Sequence, residues 1–119
     1  MPHVVFCVPF FREASMRFVR GILDLPGVRV ALVTQDHRSA LPAEVDRRLA
    51  GHWQVKDGLD GDALVEGVRG CAGQMGRVDR VVGMLEQLQV PLGYVRDRLG
   101  IEGMGEAVAR NFREKSLMK

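Results

Sequence analysis

The sequence lacks the features that mark membrane-spanning, secreted and zinc-stabilised proteins. No apolar run approaches the ~20 residues that a helix needs to cross a bilayer, and the N-terminus has no basic segment of the kind that begins a signal peptide. The two cysteines, Cys7 and Cys71, lie in apolar segments without CxxC or zinc spacing, which predicts two buried, reduced thiols. We therefore expect a cytoplasmic protein with no membrane partner.

A strong charge of either sign is also missing. The 119 residues include 17 Lys and Arg against 15 Asp and Glu, a formal net charge of +2, and they contain no Lys/Arg-rich block. Because nucleic-acid binding usually leaves a concentrated basic patch, we expect no nucleic-acid partner. With 46% hydrophobic and 27% charged residues, the chain has the composition and length of one folded domain.

Four short apolar segments alternate with helical patterns. They begin near Val4, Val28, Trp53 and Arg80, and the first is a near-continuous apolar run typical of a parallel strand buried on both faces. Right-handed crossovers between parallel strands place helices on both faces of the sheet. The sequence therefore predicts an α/β, Rossmann-like three-layer domain with a four-stranded parallel sheet. We expect the core to include Val5, Cys7, Leu32, Val68 and Val82.

Local signals mark the helices between these strands. Asp60 is a candidate N-cap for the helix before the fourth strand, Gly76 ends that helix, and Gly100 ends the next one. A final helix is predicted to begin near Glu106. The first helical pattern is amphipathic. Its apolar stripe consists of Phe11, Ala14, Phe18, Ile22 and Leu25.

The sequence contains none of the dinucleotide-binding, metal-binding or nucleophile motifs that α/β sheets commonly carry. Ligands bind beyond the carboxyl ends of the strands, but "CVPFFREAS", after the first strand, has no glycine for a dinucleotide loop. We expect no metal site, because His3, His37 and His52 lie in three separate regions. No serine lies in a nucleophile elbow, and no catalytic residue is predicted.

Two charged features remain candidates for a binding site. Glu86 follows the fourth strand by three residues, where it is either a substrate contact or a solvated acid favoured by the dipole of the next helix. Arg110, Arg113 and Lys115 in the final helix form either a solvated face or a contact for nucleotide phosphates. The local pattern leaves both alternatives open.

The last third of the chain resembles the ATP-grasp ligases, which include biotin carboxylase and the large subunit of carbamoyl phosphate synthetase. In that superfamily, the segment joining the N-terminal domain to the ATP-binding domain has a strand ending in glycine, then a glutamate, a V-R-x-x-L-G-I-x-G stretch and a basic helix. Here these elements read Gly83, Glu86, "YVRDRLGIEG" and "REKSLMK", with Glu114 where the family more often has Asp. Upstream, "VVFCVPF" and "LPGVRVALVTQD" resemble the first two strands of the same domain.

The resemblance implies the N-terminal, substrate-side domain of an ATP-dependent carboxylate ligase that works through an acyl phosphate. Residues 1–103 would be the pre-ATP-grasp Rossmann-like domain, and residues 104–119 the start of the linker helix into the ATP-grasp domain. Lys115 would contact the ATP phosphates. Glu86 would lie near the small-molecule carboxylate substrate.

The resemblance also implies that ATP and magnesium bind in the full-length enzyme, chiefly to an ATP-grasp domain present in cis or in trans. Because the sequence ends at Lys119, within the motif, we expect this chain alone to be catalytically incomplete and to bind neither. A homodimer is a further possibility that the sequence does not decide. The alternative function is a stand-alone Rossmann-like binding or interaction module without enzymatic activity.

Overall fold

The computed structural model describes the backbone of residues 2–117 and the side chains of residues 2–111. Its four strands are β1 (His3–Val8), β2 (Arg29–Thr34), β3 (Gly51–Gln54) and β4 (Arg80–Gly83). They form one parallel sheet in the order β3-β2-β1-β4. The predicted four-stranded parallel sheet is confirmed.

Helices cover both faces of this sheet, which confirms the three-layer α/β class. The helices are α1 (Glu13–Leu23), α2 (Ala43–Asp46), α3 (Gly61–Met75), α4 (Gln89–Leu99) and α5 (Glu106–Leu117). The first two pack on one face and the next two on the other, while α5 packs against α4. None of the helices in the described part of the chain is long and apolar enough to cross a membrane.

The predicted helix boundaries agree closely with the structure. The side chain of Asp60 accepts a hydrogen bond from the backbone N–H of Ala63 and caps α3. Gly76 ends α3 with a φ of 99°, and Gly100 ends α4 in the left-handed region at 66°, where glycine carries no steric penalty. A short 3-10 turn (Glu86–Leu88) precedes α4, which begins at Gln89 and has Pro91 in its first turn, where proline is tolerated.

The buried face of α1 differs from the stripe that its sequence suggests. Met16 and Val19 are the buried side chains of α1, whereas Phe18 and Leu25 from the predicted stripe are 48% and 54% exposed. Both sides of this helix carry apolar residues, so helical periodicity alone does not determine which side packs on the sheet. The contacts with β1 and β2 make that choice.

One predicted core residue is only half-buried. Val5, Cys7, Leu32 and Val68 are buried as expected, but Val82 is partly exposed. Val82 lies on β4, an edge strand whose own following helix, α4, packs on the opposite face of the sheet from α1. The side of β4 that faces α1 therefore has less cover than the central strands.

Candidate functional site

The connections that leave β1 and β4 run to opposite faces of the sheet. Helix α1 packs on one face and α4 on the other, although β1 and β4 are hydrogen-bonded neighbours. In open α/β sheets, ligands bind beyond the carboxyl ends of the strands at such a switch point. The switch point of this protein is formed by residues 9–12, after β1, and residues 84–86, after β4.

The β1 side of the switch point is fastened to the loop after β2. The carbonyl oxygen of Pro9 accepts hydrogen bonds from the N–H groups of Gln35 and Asp36, at 3.0 and 3.1 Å. The Oδ2 atom of Asp36 in turn accepts one from the N–H of Phe11, at 3.0 Å. An acid near this position of a dinucleotide-binding fold would contact a ribose, but here its carboxylate holds the loop after β1.

The loop after β3 also packs on this side. The N–H of Gly58 donates to Oε1 of Gln35 at 2.9 Å. A Cβ atom added to Gly58 would lie 2.8 Å from the Cβ of Pro9, so a residue without a side chain is required for this approach. The carboxyl ends of β1, β2 and β3 are thus closed by contacts among their own loops.

The β4 side is different, because it presents a carboxylate. Glu86 is exposed in the 3-10 turn directly after β4, at the edge of the sheet where sequence predicted it. The side-chain amide of Gln89 donates to the carbonyl oxygens of Gly83 and Leu85, at 3.2 and 2.9 Å, and so fixes the turn. The structure brings Glu86 to the switch point, while its role toward a substrate stays a prediction.

Close packing of α4 on the end of β4 positions this turn. A Cβ atom added to Gly83 would lie 2.9 Å from Cδ1 of Leu92 and 3.0 Å from Cδ1 of Leu88. Both leucines are fully buried. The glycine that ends β4 therefore lets the start of α4 approach the strand closely, which leaves Glu86 on the outside of a rigid corner.

The "YVRDRLGIEG" motif builds a compact joint between α4 and α5. Oδ2 of Asp97 accepts a hydrogen bond from the N–H of Glu106, at 3.0 Å, and so caps the first turn of α5. A Cβ atom added to Gly93 would lie 2.6 Å from the backbone nitrogen of Glu106. We call the contacts among Gly93, Arg96, Asp97, Gly105 and Glu106 the α4–α5 joint.

Arg96 connects this joint to the sheet. Its guanidinium donates to the carbonyl oxygen of Met104, at 3.0 Å, and to that of Val81 on β4, at 2.6 Å. Burial lowers the pKa of Arg96 from its ordinary value, yet an arginine stays protonated at physiological pH. One charged side chain therefore ties the edge strand, α4 and the loop before α5 together.

Lys115, the predicted ATP contact, belongs to α5, but its side chain lies outside the described residues. The same holds for Arg113. Arg110, the remaining basic residue of that set, pairs with Glu106 one helical turn earlier, at 3.1 Å. The structure thus gives the start and direction of α5, and the nucleotide contact of Lys115 stays a prediction.

Sequence reasoning missed a groove of about 600 Å³ beside the edge strand β3. The indole of Trp53, 40% exposed, lies on α3, where a Cβ atom added to Gly70 would be 2.1 Å from its Cε3 atom. Lys56, Glu66 and Arg69 line the same groove. The spacing of Gly67 and Gly70 on one helix was the signal available in the sequence.

The described part of the chain shows no candidate magnesium site. Within the described side chains, no group of three or more His, Cys, Asp and Glu is arranged to hold a metal ion. The loop after β1 also lacks the glycines with which backbone N–H groups approach phosphates.

The chain matches no family model, and no curated protein matches it.

Proposed function

We propose that this chain is the N-terminal, substrate-side domain of an ATP-grasp carboxylate ligase. In this reaction, the substrate carboxylate attacks the γ-phosphorus of ATP to give an acyl phosphate and ADP, and a nucleophile then displaces phosphate from the acyl group. The chain supplies the substrate edge and the start of the linker. An ATP-grasp domain, in cis or in trans, supplies the phosphoryl-transfer machinery.

The α4–α5 joint is the observation that carries this proposal. Among the residues of the motif that resembles the family, Arg96 bridges this joint to β4. Gly100 and Gly103 lie in the connection between α4 and α5 and adopt positive φ values of 66° and 140°. A linker that must present a second domain in a fixed orientation needs such a defined start. A surface helix with no further role would need neither the half-buried Arg96 nor the close backbone contact at Gly93.

Glu86 and Lys115 take different roles in this proposal. Glu86, on its fixed turn beside β1, would bind a polar or cationic group of the substrate or of the attacking nucleophile, because a carboxylate attracts positive charge and accepts hydrogen bonds. Lys115 would bind a phosphate oxygen of ATP through a charge-assisted hydrogen bond. In this proposal, neither group takes part in bond making.

The decisive experiment is trapping of the acyl phosphate. The chain is combined with the ATP-grasp domain encoded in the same reading frame or by a neighbouring gene, and incubated with Mg-ATP, hydroxylamine and a panel of small carboxylates. Hydroxylamine attacks the acyl phosphate and releases phosphate, so hydroxamate and ADP should appear in equal amounts for the true substrate. ADP without hydroxamate from any carboxylate would reject the acyl-phosphate mechanism.

The isolated chain is the control. It should release no phosphate from Mg-ATP, and turnover above ~1 per second, the low end of typical enzyme rates, would contradict its dependence on a second domain. In the complete enzyme, Lys115→Ala should weaken ATP binding by about 1–3 kcal/mol, the range for hydrogen bonds to charged groups, with an unchanged melting temperature. The matched Lys56→Ala change, in the groove near Trp53, should leave ATP affinity unaltered.

Glu86→Gln tests the substrate edge separately. It should raise KM for the carboxylate or for the attacking nucleophile while leaving the KM for ATP unchanged, and the control Glu66→Gln, on α3, should change neither. If neither the reading frame nor its neighbours encodes an ATP-grasp domain, the alternative, an interaction module without enzymatic activity, replaces this proposal. The exposed apolar surface of α1 is the observation that favours that alternative.

A further inference from the structure

Helix α1 carries a second apolar stripe that the fold leaves in solvent. The α1 seam consists of Ala14, Phe18 and Gly21 on α1 and of Leu25 in the turn that follows Leu23, all of which are exposed. With Met84 after β4, these residues line a groove of about 500 Å³. The buried side of the same helix is formed by Met16 and Val19. The ring of Phe18 borders that side, since it lies 5.3 Å from the ring of the buried Phe6, and the rest of the seam is additional to the face that packs on the sheet.

The spacing of the α1 seam is that of a helix that pairs with another helix. Its positions are separated by four, three and four residues, as in the a and d positions of a coiled coil. Small and large side chains also alternate along it: alanine, phenylalanine, glycine, leucine. A Cβ atom added to Gly21 meets nothing within 4 Å, so the backbone at this position is open to an incoming side chain.

Two copies of the seam fit each other, large side chain against small, when the two helices run antiparallel. When two α1 helices pair antiparallel about a two-fold axis between residues 19 and 20, Phe18 lies opposite Gly21 of the second copy. The same register sets Ala14 opposite Leu25. Each large side chain then meets a small one, at four places in the symmetric pair. A parallel pairing would instead oppose Phe18 to Phe18 and Gly21 to Gly21.

The charges beside the seam favour the same pairing. Arg17 and Asp24 are separated by seven residues and flank the seam on one side. In an antiparallel coiled coil, flanking residues at this heptad position lie across from each other. Arg17 of each copy therefore approaches Asp24 of the other. Both side chains are accessible for this, since their existing salt bridges, to Glu13 and Arg48, are at the surface.

We infer that the α1 seam binds a second copy of this chain, as an antiparallel, two-fold symmetric helix pair. Two-fold symmetry is the commonest arrangement of homo-oligomers, and it requires a patch that complements itself. An 11-residue helix offers less than the ~800 Å² per partner of a standard interface. The dimer should therefore be weak and concentration-dependent. This inference does not depend on the ligase proposal.

Sedimentation velocity over a range of concentrations of the intact chain is the first test. The mass should rise from that of the 13.2 kDa monomer toward twice that value as concentration increases from about ten to several hundred micromolar, the range of a weak complex. A mass that stays monomeric throughout would overturn the inference.

Gly21→Glu tests the location of the interface without disturbing the fold. The new side chain points into open space in the monomer, but in the pair it would bury an unpaired charge against Phe18, so the dissociation constant should rise at least about tenfold. Gly73→Glu on α3 is the matched control, because a Cβ atom there also meets nothing within 4 Å. Circular dichroism checks both folds. A dimer that Gly21→Glu does not weaken would place the interface elsewhere.

Disulfide cross-linking tests the orientation. Chains carrying Ala14→Cys are mixed with chains carrying Leu25→Cys and oxidised under native conditions, where the native Cys7 and Cys71 are buried, at 1% and 0% exposure. The antiparallel pair should give chiefly the mixed 14–25 disulfide. Predominant 14–14 and 25–25 products would show a parallel pairing and reject the proposed arrangement.

Discussion

The two faces of the sheet are covered to different degrees. On one face, the α3–α4 layer consists of helices of 15 and 11 residues, and it encloses the larger core. On the other, the α1–α2 layer consists of helices of 11 and only 4 residues. The exposed Phe18 and Met84 and the half-buried Val82 all border this second layer. Stability should therefore reside mainly in the α3–α4 layer, and accessible apolar surface in the α1–α2 layer.

The largest effect should come from truncating a leucine of the α3–α4 layer. Leu92 is fully buried against the end of β4, so Leu92→Ala should lower the free energy of unfolding by about 2–5 kcal/mol, through lost burial and a residual cavity. Leu25→Ala, at an exposed position two residues after the end of α1, should change it by less than ~0.5 kcal/mol. Urea denaturation of dilute protein measures both. Equal losses of unfolding free energy in the two variants would contradict the proposal that stability resides mainly in the α3–α4 layer.

A smaller effect is expected at the α4–α5 joint. Gly93→Ala places a methyl group 2.6 Å from the backbone of Gly105 and Glu106, and backbone cannot rotate away as a side chain can. We expect a loss of about 1–3 kcal/mol, as for overpacking. Gly73→Ala is the matched control in an open helical site and should stabilise by ~0.5–1 kcal/mol. If Gly93→Ala were also stabilising, the joint would be looser than the structure indicates.

The two layers should also differ in their response to pH. Burial in the core beneath the α3–α4 layer raises the pKa of both Cys7, on β1, and Cys71, on α3, to about 12. In the unfolded chain these thiols ionise near 9, so between pH 9 and 12 the folded state binds more protons than the unfolded state. Stability should fall with rising pH in this window, by at most ~1.4 kcal/mol per pH unit for each thiol.

Replacement of the thiols isolates this effect. Cys7→Ala/Cys71→Ala should reduce the alkaline loss of stability, measured by urea denaturation from pH 8 to 10. In the wild type, a thiol reagent at pH 8 should modify Cys7 and Cys71 much faster after unfolding than before. Rapid modification of the native protein would contradict the burial of these two side chains.

His52 should give the α1–α2 side of the sheet a weaker, acidic response. Its Nε2 atom lies 2.7 Å from the hydroxyl of the buried Thr34. Burial, and then the charge of Arg38, lower the pKa of His52 from its ordinary 6.5, while Asp46 opposes this. The unfolded state then binds the proton more readily, so stability is complete above pH 6.5 and declines below it.

His52→Gln should remove the part of the acid sensitivity that His52 causes. The measurement compares the free energy of unfolding of the wild type and of His52→Gln from pH 7.5 to 5. Gln54→Ala, an exposed neighbour on β3 that does not titrate, is the control and should leave the shape of the profile unchanged. Identical profiles for wild type and His52→Gln would mean that His52 does not contribute.

The smallest effect should appear at Trp53. Gly70→Ala inserts a methyl group where the indole lies on α3, so the half-exposed ring should swing into solvent at little cost in stability, about 1 kcal/mol or less. Trp53 is the chain's single tryptophan, so a red shift of its fluorescence reports the change directly. An unshifted spectrum would indicate that α3 moves instead of the ring.

The sheet could be predicted from the sequence because local signals agree with the global fold. Strands β1, β2 and β4 are mainly apolar segments, whereas β3 (GHWQ) is not. Asp60 marks a helix start through its capping side chain, and Gly76 and Gly100 mark helix ends through their backbone freedom. The position of Glu86 followed from counting residues after β4. These features depend on neighbours in the sequence, which a single chain displays.

The remaining features depend on contacts between distant residues. The choice between the two apolar sides of α1 is made by the sheet, and the half-burial of Val82 follows from the strand order, which local patterns do not encode. The contact of Gly93 with Glu106 and the capping by Asp97 required the relative placement of two helices. The glycine pair under Trp53 was visible in the sequence, but only the structure shows which side chain it accommodates.

The angle between α4 and α5 at the α4–α5 joint determines where the far end of α5 lies. Helix α5 has 12 residues, so at 1.5 Å per residue it is a lever about 18 Å long, and a tilt of about 10° at Gly93 would displace its far end by roughly 3 Å. Misplacement of reacting groups by ~1 Å can cost a hundredfold in rate. A methyl group at residue 93 could therefore slow a ligase that uses this lever far more than its effect on stability would suggest.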